Sequence, residues 1–513
     1  MTEDINTQKK RLAKNTLILY IRTILILAIS LYTSRVVLQV LGIKDYGIYN
    51  IVGGFVSLFA VVSQTMVAST QRFLTYELGK SDENHSREVF STAMTIHIVL
   101  GVFLILLFET LGLWFLNNKL NIETNRMVAA NLIYQFSLIT FVVQLIRSPF
   151  EASVIAHERM ATFAYVNIAE AIFKLLVLFI IPLISIDRLV QYGLFLLILS
   201  LIVFVFYILY CKIKFEEIDF VQVKDKNYYR QMVSFAGYNF FGSCSAIMAN
   251  QGVNVILNMF FGVTVNAARG IALQVGNAIS KFVGDFTTAI KPQITKSYAK
   301  GDLFYTIRLV NSGSKFSFFL YLLFSLPILI ETPLILKIWL ENVPDYAILF
   351  VRWTLLTSLL NTFAHPLTTF AFATGNIKKL SIWIGCIRLS VLPVVFFLFR
   401  LGYPPVYAYI VCFSSDFILL FVRLFIVCNI TKISALSYIK EVLTRALFVL
   451  SLSVVLSILT HRFYNVDGVN SLLLFVVISS LITAFIITFV GLDSKERLFL
   501  INIVKIKIFK VRT

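Results

Sequence analysis

The stretch Val37–Gly54, VLQVLGIKDYGIYNIVGG, decides the fold. A long apolar run stops at Leu41, a short polar patch flanked by Gly42 and Gly47 follows, and a second apolar run begins. Glycine permits a sharp turn and a close backbone approach, so the pattern predicts a tight hairpin between two apolar helices. Tyr46 and Tyr49 suit a membrane interface, where a ring can be buried while its hydroxyl stays wet. A variant of the patch, NMFFGVTVNAARGIALQVG, recurs at Asn258–Gly276.

The recurrence extends into a repeat. At a shift of 220 residues VLGIKDYGIYN (Val40–Asn50) lies on FFGVTVNAARG (Phe260–Gly270), with Gly42 on Gly262. Without a gap, YELGKSD (Tyr76–Asp82) then lies on KSYAKGD (Lys296–Asp302). At a shift of 217, SPFEASVIAHERM (Ser148–Met160) lies on HPLTTFAFATGNI (His365–Ile377), with Pro149 on Pro366. The matches keep their order along the chain.

Composition supplies the solvent. Of 513 residues 58% are hydrophobic and 14% are charged, and 48 are Phe. That is too little polar surface for a water-soluble chain of this length and fits one dissolved in lipid. Apolar stretches near or above the ~20 residues of a spanning helix number about fourteen. They run approximately through 17–41, 46–75, 89–116, 127–149, 160–182, 189–212, 232–261, 265–290, 309–329, 348–372, 380–399, 406–428, 443–461 and 471–490. The runs are continuous rather than alternating, which disfavours a β-barrel. The seventh and eighth carry the most polar residues, and hairpin spacing and the repeat place them in the membrane. The start, MTEDINTQKKRLAKN, lacks the short apolar core and small-residue cleavage site of a secretion signal, so the first segment is expected to remain as a helix.

The repeat covers six segments, an even number, so both copies face the same way. The expected fold is an all-α integral membrane protein with two parallel six-helix lobes around a central cavity, plus two C-terminal helices. The expected divisions are 1–220, 221–429 and 430–513, the last ending in a basic tail. With the amino terminus inside, the inside stretches hold 26 Lys and Arg and the outside loops hold 7: Lys44, Lys119, Arg126, Arg188, Lys337, Arg400 and Arg462. Both ends are therefore expected to be cytoplasmic. The net charge of +18 mostly reflects this bias. It points to anionic lipid rather than nucleic acid, and the tail KIKIFKVR suits a lipid surface.

Several enzyme classes are disfavoured. Cys211, Cys244, Cys386, Cys412 and Cys428 have no metal or redox spacing, the five histidines form no metal motif, and no GxxxxGK phosphate loop occurs. No cofactor and no metal site is expected. Two like lobes without a nucleophile or metal motif point to a carrier that rocks between two openings.

Polar groups at membrane depth mark the candidate site, because ionised groups in hydrocarbon usually face a bundle interior. Asn250, Asn254 and Asn258 share one helix face, and the next segment carries Asn266, Arg269, Gln274, Asn277, Lys281 and Asp285. Glu170 and Lys174 are spaced for an i,i+4 pair, Arg388 lies mid-span in the eleventh segment, and Asp416 and Arg423 lie in the twelfth. Arg22, Arg35, Arg72, Arg147 and Arg352 lie nearer segment ends, where long side chains can reach the interface. Cations exceed acids, so Arg22, Lys174, Arg269, Lys281 and Arg388 are expected to hold an anionic cargo, with Asn250, Asn254, Asn258 and Asn277 as polar walls. Glu170, Asp285 and Asp416 are candidates for pairing with these cations or for taking up H+ or Na+.

The basic start KKRLAKN, the hairpin VLGIKDYGIYN followed by IVGGFVSLF, and STQRFLTYELGK after the second segment, echoed by SYAKGD, resemble the multidrug/oligosaccharidyl-lipid/polysaccharide exporter superfamily over nearly the whole chain. Within it the chain looks most like bacterial polysaccharide flippases of the O-antigen kind. The resemblance implies a non-enzymatic protein of the bacterial inner membrane. Such a protein flips an undecaprenyl-pyrophosphate-linked oligosaccharide from the cytoplasmic to the periplasmic leaflet for surface polysaccharide synthesis, by alternating access. It implies membrane lipids, a glycan polymerase or glycosyltransferases as partners. An ion-coupled multidrug exporter and a lipid II flippase of the same superfamily are the alternatives.

Overall fold

The computed structural model describes residues 2–57, 60–80, 83–119, 122–184, 187–221, 223, 226–340, 342–431, 434–463, 468–494 and 496–497. Lys432, Lys495 and the basic tail 505–512 lie outside the described residues. So do Leu58 and Phe59 of the segment after the first hairpin, and Ser81 and Asp82 of the second quoted motif.

The opening stretch folds as predicted, for a reason visible in its backbone. Helix Thr2–Ser57 is broken at Gly42, where φ is 77° and ψ 169°. Helix Lys226–Ala299 is broken at Gly262, where φ is 77° and ψ −172°. That corner of dihedral space is essentially reserved for glycine. A Cβ at either position would meet nothing within 4 Å, so the backbone angle, not crowding, demands the residue. The two glycines paired at a shift of 220 thus make the same turn.

The glycines divide the two long helices into α1 (2–41), α2 (43–57 with 60–80), α7 (226–261) and α8 (263–299). Between them lie α3 (Glu83–Leu107, continued by Phe108–Gly112 and Leu113–Lys119), α4 (Met127–Ala156), α5 (Met160–Ile180) and α6 (Arg188–Lys214). After them come α9 (Leu303–Ile330), a short helix Thr332–Leu340, α10 (Ala347–Asn361 with Ala364–Thr374), α11 (Lys378–Arg400) and α12 (Val406–Thr431). The last two are α13 (Ala435–Phe463) and α14 (Val469–Gly491). Twelve described helical runs are long and apolar enough to cross a membrane. The two remaining long helices, α2 and α8, are the repeat counterparts that follow the glycine turns, and both are more polar. No strand occurs among the described residues. Large apolar side chains stand outward, such as Val99, Leu106, Trp114 and Phe425, as a chain solvated by lipid requires.

Contacts group the chain into two compact units: Met1–Ser243 with Thr288–Leu303, and Cys244–Thr287 with Phe304–Thr513. In the first, Val36, Val37, Leu41 and Ile48 of the first hairpin pack on Ile133, Tyr134 and Leu138 of α4, Leu178 of α5, and Leu189 and Tyr192 of α6. The polar part of the hairpin is pinned as well. Asp45 accepts from Arg126 at 2.9 Å and 2.5 Å. Arg126 also pairs with Asp187, and Arg188 donates to the Val40 carbonyl at 3.2 Å. Asp187 caps α6 through the Leu189 and Val190 N–H groups.

Within the same unit the end of α2 meets the end of α8. A Cβ on Gly79 would lie 2.8 Å from the Ala299 Cβ and 2.9 Å from the Lys296 Cα. Gly79 therefore lets the two helices touch at the very pair of positions that the 220-residue shift equates.

In the second unit aromatic stacking joins α9 to α10 (Phe318 on Phe363, 4.8 Å) and α10 to α12 (Phe350 on Tyr409, 4.3 Å). Small polar contacts join α13 to α14, with Ser457 and Ser479 hydroxyls 3.0 Å apart. Buried Lys315 of α9 pairs with Glu496 at 2.9 Å and with Asp493 at 3.3 Å, fastening the residues that follow α14.

Candidate functional site

Among the described residues each unit holds a cluster of charges between its long apolar helices. In the first unit it spans α4, α5 and α6. Arg147 Nε lies 2.8 Å from Glu151 and its Nη1 3.5 Å from Glu170. Lys174 Nζ lies 2.8 Å from the other Glu170 oxygen, and the Arg147 guanidinium stands 5.6 Å from the centre of the Tyr207 ring. One helical turn sets each pair, since 147 and 151, and 170 and 174, are i,i+4 neighbours. Two cations face two carboxylates, so the cluster is neutral as a whole. Glu170 is largely buried and Lys174 is 42% exposed.

The second unit builds a different balance. Arg388 of α11 lies 2.5 Å from Asp416 of α12, whose side chain is 1% exposed. The other Asp416 oxygen accepts from Asn361 of α10 at 2.7 Å. Arg423 is buried two turns further along α12. Arg269 of α8, also buried, donates to the Asn250 side chain at 2.5 Å and to its carbonyl at 3.0 Å. Its guanidinium stands 5.7 Å from the Tyr409 ring. Three guanidinium groups thus accompany one carboxylate. Burying charge is tolerable only with partners close by, and here Asp416 and Asn250 supply them.

The expected site residues divide accordingly. Lys174 with Glu170, Arg388 with Asp416, and Arg269 with Asn250 are brought together in pairs. Arg22 stands over the Phe163 ring at 5.1 Å, tying α1 to α5. Lys281 is exposed on α8, four residues before buried Asp285. Asn258 and Asn277 are exposed and Asn254 is half-buried. Sequence reading missed Glu151, Asn361 and Tyr409 as members and left Arg147 and Arg423 outside the site. Glu151 stands inside the repeated motif SPFEASVIAHERM, a signal that could have found it. Among the described residues no group of three or more His, Cys, Asp or Glu could hold a metal ion.

Solved structures share this helix arrangement. A crystal structure of MATE in the straight conformation superposes with a TM-score of 0.71, at 12% identity, over 83% of this chain and 97% of that one. The chain has the MATE-type fold. An outward-facing multidrug resistance MATE family transporter of the MOP superfamily matches at a TM-score of 0.70 and 12% identity, over 83% of this chain and 96% of that one. A MOP superfamily transporter from Pyrococcus furiosus, described as having a binding pocket of reversed polarity, matches at 0.69 and 12% identity, over 83% and 97%. No family model and no curated protein sequence matches the chain. At these identities the likeness concerns the fold, a multi-pass membrane architecture.

Proposed function

We propose that the chain is an alternating-access transporter, with no enzymatic role, for an amphipathic anionic cargo. The reading names an undecaprenyl-pyrophosphate-linked oligosaccharide, moved from the cytoplasmic to the periplasmic leaflet of a bacterial inner membrane for surface polysaccharide synthesis. The observation that carries it is the excess of guanidinium over carboxylate in the one cluster of α8, α11 and α12: Arg269, Arg388 and Arg423 with Asp416. Guanidinium groups bind phosphoryl oxygens bidentately and keep their charge when buried. The neutral cluster of Arg147, Glu151, Glu170 and Lys174 offers carboxylates for H+ or Na+ coupling, with Asp285 and Asp416 as the other candidates. Membrane lipids, and a glycan polymerase or glycosyltransferases, are the partners that this reading expects.

A second reading, ion-coupled multidrug export, draws support from the multidrug transporter among the structures of like fold. In it Glu170 and Asp416 serve an organic cation. Proteoliposomes loaded with a fluorescent pyrophosphate-linked polyprenyl sugar, run beside an organic-cation dye under a proton or sodium gradient, separate the two. Protein-dependent movement of the sugar lipid, reduced by neutralising Lys174, Lys281 and Arg388 together, supports the first reading. Gradient-driven dye movement with no sugar-lipid movement replaces it with the second.

A further inference from the structure

Helix α4 ends on a residue in the left-handed conformation, and that residue is Glu158, with φ 58°. The repeat supplies a control. At the shift of 217 residues its counterpart after α10 is Gly375, with φ 78°. The turns match in their bonding: the Glu158 N–H donates to the Ile155 carbonyl at 2.9 Å and the Gly375 N–H to the Phe372 carbonyl at 3.0 Å. Glycine closes such a helix end without strain, and a residue with a Cβ does not. One copy of the repeat therefore keeps a disfavoured residue where the other has the favoured one. A non-glycine residue held in this region points to a task for its side chain.

The side chain has such a task. Glu158 is 8% exposed, and its two oxygens reach two cations distant in sequence. Arg11 Nε of α1 lies 3.3 Å from one, and Lys296 Nζ of α8 lies 3.6 Å from the other. The turn is braced further: Asn15 of α1 donates to the Glu158 carbonyl at 3.3 Å and Arg11 to the His157 carbonyl at 3.0 Å. Lys296 is the residue whose backbone touches Gly79 of α2. One carboxylate thus joins α1, the α4–α5 turn and the end of α8 beside its contact with α2. Gly375 has no side chain to make such a tie. All the residues of the tie belong to the first unit, and the turn lies on the side of the membrane where the sequence concentrates Lys and Arg.

We infer that Glu158 is a positioning residue, a latch that holds the end of α8 closed against α1, α2 and the α4–α5 turn, and that its release from Lys296 is a step of the transport cycle. The second half of this statement rests on the transporter reading; the first half does not. The carboxylate acts by charge and reach, so its amide loses the latch while keeping the shape, and glycine loses it while relieving the backbone.

Hydrogen–deuterium exchange on the purified full chain in lipid nanodiscs, without cargo, tests the latch. Glu158→Gln, Glu158→Gly and Lys296→Met are expected to speed exchange across residues 290–303 about tenfold, as loss of one closing interaction would. Glu158→Gly is the telling variant. If the residue merely closes a turn, glycine leaves 290–303 as protected as in the parent chain, or more so. Parental exchange there in both Glu158 variants overturns the latch, and parental exchange in Lys296→Met overturns it from the other partner. In proteoliposomes the glycine variant is expected to change the transport rate at least about threefold, the lower range of coupling effects. Faster exchange with no transport by the parent chain leaves the latch standing and removes the transporter reading instead.

Discussion

Replacing Asp416 by asparagine isolates the charge at the centre of the second cluster. Asparagine keeps the shape and can still accept from Asn361, which now donates to Asp416 at 2.7 Å. What disappears is the negative charge facing Arg388 at 2.5 Å and shared with buried Arg423. Removing one partner of a fully buried pair destabilises by about 3–5 kcal/mol, because the other charge is left uncompensated. Arg388 is one quarter exposed, and it can reorient towards water or headgroups. The expected loss for Asp416→Asn is therefore below that range, about 2 kcal/mol. Arg388→Met removes the orphaned charge, so the double variant should recover about half of the loss or more, a coupling of about 1 kcal/mol or more. Unfolding in mixed micelles, followed by tryptophan fluorescence and by accessibility of the native cysteines, measures all three variants. Should Asp416→Asn unfold like the parent and the double variant show no recovery, the carboxylate does not neutralise buried guanidinium. The picture of a cluster held in electrostatic tension would then be wrong.

Gly42→Ala and Gly262→Ala should each destabilise by about 1–3 kcal/mol and by similar amounts, because both positions hold φ 77° with open space around the missing Cβ; thermal unfolding of the purified variants compares them. Gly79→Val should separate the ends of α2 and α8, since even the first added carbon would sit 2.8 Å from the Ala299 Cβ. Faster exchange at both helix ends is the expected readout, and unchanged exchange would contradict the contact. Acid should loosen the first hairpin. Burial is the largest influence on Asp187 and raises its pKa, but hydrogen bonds from Arg126 and from the Val190 and Leu189 N–H groups outweigh it and hold the carboxyl below its ordinary value. A depressed folded pKa means stabilisation that is complete above the ordinary carboxylate value of about 4 and is lost as pH falls through the lower folded value. Melting temperature against pH should therefore drop at the acid end for the parent chain and drop less for Arg126→Ala.

Much of the architecture could be read from residue order alone. Runs of apolar residues give spanning helices because lipid leaves the backbone no partner but itself. The glycine turns at 42 and 262 were legible because only one residue type tolerates that backbone, so identity and geometry coincide. The i,i+4 pair of Glu170 and Lys174 was legible for a similar reason: helix geometry fixes the distance before any tertiary contact forms. By contrast, Asp45 reads as a polar turn residue until Arg126, brought from another loop and shared with Asp187, donates to it. Glu158 reads as a surface acid of a short connection, and only the fold places Arg11 and Lys296 on its two oxygens.

Residue order alone dictates the periodic and the local features: helices, turns and the repeat. The tertiary structure decided which charges meet. It set Arg388 against Asp416 and left Lys281 exposed, and it gave Glu158 a task that its repeat counterpart Gly375 lacks. The division has a physical cause. Backbone hydrogen bonding and dihedral limits act within a few residues, whereas an ion pair depends on the packing of helices whose residues lie tens to hundreds of positions apart.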